Sequence, residues 1–410
     1  MPGGAHLTME SVIDKLTKNI NESVEQNVAP FITYIIGNNG TGKSRLLAKI
    51  CELYENLKTS NVRSILCISN SITDRFVFGD GHRRKYLGAR NVGNAIFKSS
   101  IDREIAKYLI RGLKPGKTVY LEQLWKLFEL EFSINFPDEV KRRYKRNNLS
   151  ATVDNRKLKN TVIENIIDEE GRAWIGQIIE NGVEINKITL KQAKYLNAYL
   201  GLNPEVQLFT ERNNKRLSYS ELSSGEQNRI ATALKIIANA ENNTLVLIDE
   251  PEISLHLRWQ MDFHSFITEI MSEHENYHVL IATHSPVIVS EAAKDSETDA
   301  IIVLQSPTMA TAISSNQLEY IEYKSKNSES FGSCEELTLD LFDTATYNTT
   351  AIDQKITEVI LEATESDESI QNGIRELNNL IYKAGISDDK ILTIKEAIGL
   401  IERYAKGMSI

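Results

Sequence analysis

Gly37-Asn38-Asn39-Gly40-Thr41-Gly42-Lys43-Ser44 is a G-x-x-x-x-G-K-S stretch, and each residue type in it suits a task in holding a polyphosphate. The glycines let a loop curl so that successive N–H groups point inward at phosphate oxygens. A helix starting at Lys43 presents its positive end to the same anion. Lys43 is placed to reach the β- and γ-phosphates, the Ser44 hydroxyl to ligate Mg2+, and Arg45 adjoins them. A second stretch, residues 244–250 (TLVLIDE), is an apolar run ending in two carboxylates. Beside such a loop, Asp249 falls next to the metal and Glu250 is positioned to orient or deprotonate a water.

Two shorter stretches keep company with these. Leu222-Ser223-Ser224-Gly225-Glu226-Gln227 places Gly225 24 residues ahead of Asp249. It reads either as a plain N-cap for a helix over 228–240 or as a helix start whose N–H groups bind an anion. Thr283-His284-Ser285-Pro286 follows the apolar run 278–282, with His284 34 residues after Glu250. A lone histidine at a strand end is more often structural, and its spacing from Glu250 is what draws notice.

Elements must position these residues. The β-rich runs 31–36, 62–69, 244–248, 278–282 and 300–304 predict strands, and the spacing of Leu46, Leu47, Ile50, Leu53, Tyr54 and Leu57 predicts a helix. A further helical pattern over 258–271 separates two of the strands, and such alternation implies a mostly parallel sheet in an α/β fold. From about 101 to 202 the helical period dominates, with Leu121, Leu124, Leu127 and Leu130 on one stripe. The division expected is a head formed by 1–100 and 206–328, a helical insertion over 101–205, and a helical acidic extension over 329–410.

Taken together, the four motifs resemble those of ABC-type ATPases. The resemblance implies ATP and Mg2+ as cofactors and a homodimer, or a larger oligomer of dimers, in which Ser223, Ser224 and Gly225 contact the γ-phosphate held by the opposite subunit. It implies a switch role for His284, and it puts residues 251–256 in the place of a D-loop crossing the dimer interface. The run Asp249-Glu250-Pro251-Glu252-Ile253-Ser254-Leu255-His256 looks like the overcoming-lysogenization-defect-related group. The loop Ile68-Ser69-Asn70-Ser71-Ile72-Thr73-Asp74-Arg75-Phe76 resembles Septu-type and retron-associated antiphage ATPases, which implies a separate HNH nuclease subunit. This loop departs from many ABC ATPases in having no glutamine, leaving Asn70, Ser71 or Asp74 as substitutes. No nuclease module is recognisable after 300–304, and there is no zinc-hook C-x-x-C.

Charge is uneven. Residues 82–160 hold 19 Lys/Arg against 8 Asp/Glu, whereas 329–410 hold 7 against 16. The first segment could face phosphates, making a DNA-repair head of the RecF or SMC type the alternative, or its charges could be answered within the fold. The tail's sign disfavours nucleic acid. Three dispersed cysteines indicate neither a disulfide framework nor a zinc cluster. No apolar run approaches the ~20 residues of a membrane span, and residues 1–8 lack a signal-peptide pattern. A cytoplasmic location without membrane attachment is the expectation.

Overall fold

Apolar runs without polar alternation make strands buried on both faces, and four of them form the centre of the molecule. The computed structural model describes residues 9–37, 40–71, 73–88, 98–113, 117–147, 167–253, 255–295, 300–305, 319–324, 350–363, 367–382, 386 and 388–407. In chain order its strands are β1 (Ile32–Gly37), β2 (Ser64–Ser69), β3 (Arg84–Leu87), β4 (Glu131–Asn135), β5 (Val183–Glu184) and β6 (Gln207–Arg212). They continue with β7 (Lys215–Ser218), β8 (Thr244–Asp249), β9 (His278–Thr283), β10 (Ala300–Gln305) and β11 (Glu319–Lys324). Every residue of β1, β2, β8 and β9 is buried.

The main sheet has the order β11-β10-β1-β9-β8-β2-β3, with β11 antiparallel on its edge and the other six strands parallel. Successive side chains of a strand face opposite ways, and the two cores follow that alternation. Ile35, Ile65, Leu245, Leu247, Leu280 and Ile302 face the phosphate-loop helix Lys43–Asn56 and the N-terminal helix Met9–Gln26. The latter contributes Val12, Leu16, Ile20 and Val24 at helical spacing. Tyr34, Ile36, Leu66, Val246, Ile248 and Ile281 face the other way, onto helices Ser224–Ile237 and Phe263–Met271 and the insertion.

Register decides where the motifs meet. Ile36 pairs with Thr283, Ala282 with Asp249, and Asp249 with Ser69. The carboxyl ends of β1, β9, β8 and β2 therefore lie along one edge of the sheet, where ligands of open α/β sheets bind.

The insertion is not purely helical as expected. It carries strands β4 and β5, which join β6 and β7 just beyond its expected end in a four-stranded antiparallel sheet of order β5-β4-β6-β7. In β4 the buried Phe132 and Ile134 alternate with more exposed neighbours, a period of two confined to five residues between helices. Leu130, counted on the helical stripe, lies beyond the helix Lys117–Phe128. The β6–β7 hairpin turns through Asn213 and Asn214, both at positive φ (52° and 61°), as tight hairpin turns require. The pattern over 258–271 is likewise two helices, Leu257–Met261 and Phe263–Met271, meeting at Asp262.

Helices Thr350–Glu362, Asp367–Ile381 and Asp388–Gly407 pack on one another around Ile352, Ile356, Leu377, Leu380, Ile394 and Ile401, a core separate from the two of the head. Leu337, Leu341 and Phe342, a candidate apolar stripe of the tail, lie outside the described residues. Cys51 and Cys67 meet as buried free thiols with their Sγ atoms 3.4 Å apart. Among the described residues no helix is long and apolar enough to cross a membrane.

Candidate functional site

The phosphate loop runs from the end of β1 to the helix Lys43–Asn56. Gly37 has φ 150°, and a Cβ there would stand 2.3 Å from the Leu304 carbonyl oxygen of the neighbouring strand, so only glycine fits. Gly40 and Gly42 also have positive φ, 85° and 100°. Gly42 is the N-cap of the helix and no side chain caps it, which leaves the helix start to an anion. Thr41 is buried, Arg45 is exposed on the first turn, and Asn38 and Asn39 lie outside the described residues.

The Lys43 ammonium is buried and donates to the Gly37 carbonyl oxygen at 2.7 Å. Burial lowers its pKa, while the carboxylates of Glu252, Glu250 and Asp249 act against that. Ser44 Oγ donates to Asp249 Oδ1 at 3.0 Å, so the hydroxyl and the carboxylate that the sequence paired across 205 residues stand together. Asp249 is 2% exposed. Burial pushes its pKa up to about 7, and the Glu250, Asp74 and Glu252 charges add to this against the Ser44 hydrogen bond. A buried carboxylate held by one hydroxyl and crowded by like charges is a place for a cation. Among the described residues no cluster of three or more His, Cys, Asp or Glu forms an all-protein metal cage. The residues present suit Mg2+ instead, which takes one or two side-chain oxygens and completes its shell with phosphate and water. Ser44 and Asp249 would hold it, and it would neutralise charge on the terminal phosphates.

Directly after β8 the chain turns sharply. Glu250 adopts φ 51°, uncommon for a residue with a side chain, while its N–H donates to the Ala282 carbonyl oxygen at 2.9 Å. The turn leaves Glu250 half-buried at the mouth of the site. Two residues on, Glu252 is buried and accepts twice from His284: its Oε1 lies 2.7 Å from the backbone nitrogen and 2.8 Å from Nδ1. Burial would raise the Glu252 pKa, but the bonds from His284 outweigh it and the net direction is down. His284, in turn, is pushed above its ordinary value, chiefly by the hydrogen bond to Glu252. Ser285 Oγ donates to Gln260 and accepts from the Ile288 N–H, fixing the start of helix Pro286–Asp295 behind the histidine.

Sequence reasoning did not single out Glu252. It placed that residue only in the segment expected to cross a dimer interface; its side chain bonds within the chain, to His284. The available signal was a third carboxylate two residues beyond the Asp-Glu pair. Of the candidates for the missing glutamine, Asp74 is buried and occupied, accepting from the Phe76 N–H at 3.0 Å and the Tyr86 hydroxyl at 2.8 Å. Asn70 and Ser71 stay half-buried at the end of β2.

The Ser223 side chain caps helix Ser224–Ile237 in a reciprocal box with Glu226. Its Oγ donates to Glu226 Oε2 at 2.8 Å and accepts from the Glu226 N–H at 3.3 Å. Ser223 and Ser224 are exposed and Gly225 is buried. Asn228, one turn on, donates to the Ile253 carbonyl oxygen at 3.2 Å and ties this helix to the segment after β8.

Comparison with known proteins agrees with this geometry at the level of class. Residues 91–290 match the family model described as "AAA domain, putative AbiEii toxin, Type IV TA system". The match spans just under half of the chain, taking in Ser223 to Gly225, Asp249, Glu250 and His284, and begins after the phosphate loop. No curated protein matches the chain. A parallel sheet with a phosphate loop after β1 and a buried acid at the end of β8, together with that match, makes this an α/β domain of the P-loop ATPase class.

Proposed function

We propose that the chain is an ABC-type switch ATPase that closes as a dimer around two ATP molecules and controls a separate nuclease in defence against phage. The observation that carries the reading is the exposed start of helix Ser224–Ile237, with Ser223 and Ser224 facing solvent beside the segment after β8. A second head would bring its bound γ-phosphate to the Ser224 hydroxyl and the N–H groups of the first turn, where the Ser223–Glu226 box would give way to it. Within each site the phosphate loop grips ATP, Ser44 and Asp249 hold Mg2+, Glu250 takes the proton of the attacking water, and His284 contacts the γ-phosphate.

The alternative is a DNA-repair head using the basic segment, part of whose charge is answered within the fold. Arg143 pairs with Glu139, and Lys145 lies 3.1 Å from Glu180. The test is co-expression with the neighbouring reading frames. Co-purification of an HNH nuclease, with phage protection lost in Lys43→Ala, supports the switch. Steeply salt-dependent DNA binding by the isolated chain, with no such partner, supports the repair head.

A further inference from the structure

We propose that Glu252 is the positioning residue for His284, fixing the ring so that Nε2–H is presented to the terminal phosphate. The proposal rests on the ATPase reading above and adds a residue that neither the motifs nor the family match assigns.

Three observations carry it. The contacts come as a pair: one carboxylate oxygen accepts from both the backbone N–H and the ring of the same histidine, at 2.7 and 2.8 Å, so main chain and ring are fixed together. The carboxylate is only 8% exposed, and its second oxygen is buried without a hydrogen-bond partner among the described residues. A charged group in that situation is costly unless a cationic partner answers it. The histidine side chain is 44% exposed, so the ring reaches from its buried anchor to the open edge of the sheet.

The chemistry follows from donor counting. An ionised carboxylate only accepts, so Nδ1 must carry the proton that Glu252 receives. Nε2 then has two states. In the imidazolium it is a donor and suits a phosphate oxygen. In the neutral ring it offers a lone pair, which a phosphate oxygen repels. Only the doubly protonated ring makes the phosphate contact, and Glu252 favours that form, as does Glu250, while Lys43 opposes it. With the histidine's pKa raised, the competent form persists to higher pH than an ordinary histidine would allow and is lost as pH rises further. Glu252 thus acts through His284 without touching the nucleotide.

The experiment uses the full chain and two readouts. The first is the pH profile of kcat and KM for ATP in the wild type, Glu252→Gln and Glu252→Asp. Glutamine keeps an oxygen for the His284 backbone N–H but removes the charge. Glu252→Gln is expected to lower kcat by roughly tenfold or more, leave KM little changed, and move the alkaline limb to lower pH. Glu252→Asp keeps the charge and should leave the limb nearer its wild-type place. The second readout is the nitrogen-15 histidine spectrum without nucleotide, with His284 assigned by its loss in His284→Gln. Nδ1 should be the protonated nitrogen of the neutral ring in the wild type, and the His284 titration midpoint should fall in Glu252→Gln. An unmoved midpoint and alkaline limb would overturn the proposal, even if kcat falls, because a merely structural role moves neither. Should the wild type hydrolyse no ATP, the functional reading fails on its own, and the spectrum still decides the role of Glu252.

Discussion

Replacing Gly37 by alanine should unsettle the phosphate loop through its neighbour strand, and the structure separates two components of the cost. The backbone component comes from φ 150°, a conformation that costs a residue with a side chain on the order of 1–3 kcal/mol. The steric component comes from the new methyl group, 2.3 Å from the Leu304 carbonyl oxygen and 2.9 Å from Thr41 Oγ1. Leu304 belongs to β10, which is paired on both sides by β1 and β11 and cannot yield alone. Forcing a methyl group into so tight a site typically adds about 1–3 kcal/mol. Gly40→Ala is the control: its φ of 85° carries strain, but nothing among the described residues lies within 4 Å of the added methyl. Gly37→Ala should therefore be less stable than Gly40→Ala by about 2 kcal/mol, which for a domain of roughly 300 residues is a Tm difference of about 3 °C. Differential scanning calorimetry of both variants without nucleotide reads this directly. Equal melting temperatures would refute the claim that β10 closes over the loop.

Other expectations follow from the same geometry. Lys43→Ala should weaken ATP binding by about 10- to 150-fold, the worth of a charge-assisted hydrogen bond, as read by calorimetric titration. His278 is fully buried between Ser23 and Thr33, and burial depresses its pKa from 6.5 to about 3. The unfolded chain protonates first, so this contribution is complete above pH 6.5 and is lost as pH falls toward 3, at up to about 1.4 kcal/mol per unit. Urea unfolding of His278→Asn should show a shallower acid slope than the wild type. Deleting 329–410 should leave the head folded and able to bind ATP, because the three tail helices close a core of their own. The same deletion should abolish co-purification with the proposed nuclease if the acidic tail is the docking surface, and retention of that partner would move docking to the insertion.

What the sequence disclosed and what it hid divide along physical lines. The strands around the phosphate loop, Asp249 and His284 were legible because a strand buried on both faces is a continuous apolar run, and the motifs sit at its ends. The pairing of Ser44 with Asp249 was legible because both residue types suit one shared Mg2+. The sheet formed by β4 to β7 was not, because strands of two to six residues lie among helices and alternate too briefly to outweigh the helical stripe. The helix Met9–Gln26 carries its stripe openly in Val12, Leu16 and Ile20, at helical spacing, although no chemical motif marks that end of the chain. Glu252 was hidden for another reason. Its role exists only because β8 and β9 are neighbours in register, which brings the residue after one strand's turn to the histidine ending the next.

The central claim is that two heads share each nucleotide, and Glu250→Gln tests it most directly. That variant keeps a polar group of the same size while removing the base, so it should hold ATP without turnover. With Mg2+ and ATP, light scattering should show the mass doubling, and adding Ser223→Arg to the same chain should return it to monomer while each chain still binds ATP. ATP bound at full occupancy to a Glu250→Gln protein that stays monomeric at every concentration would contradict the account.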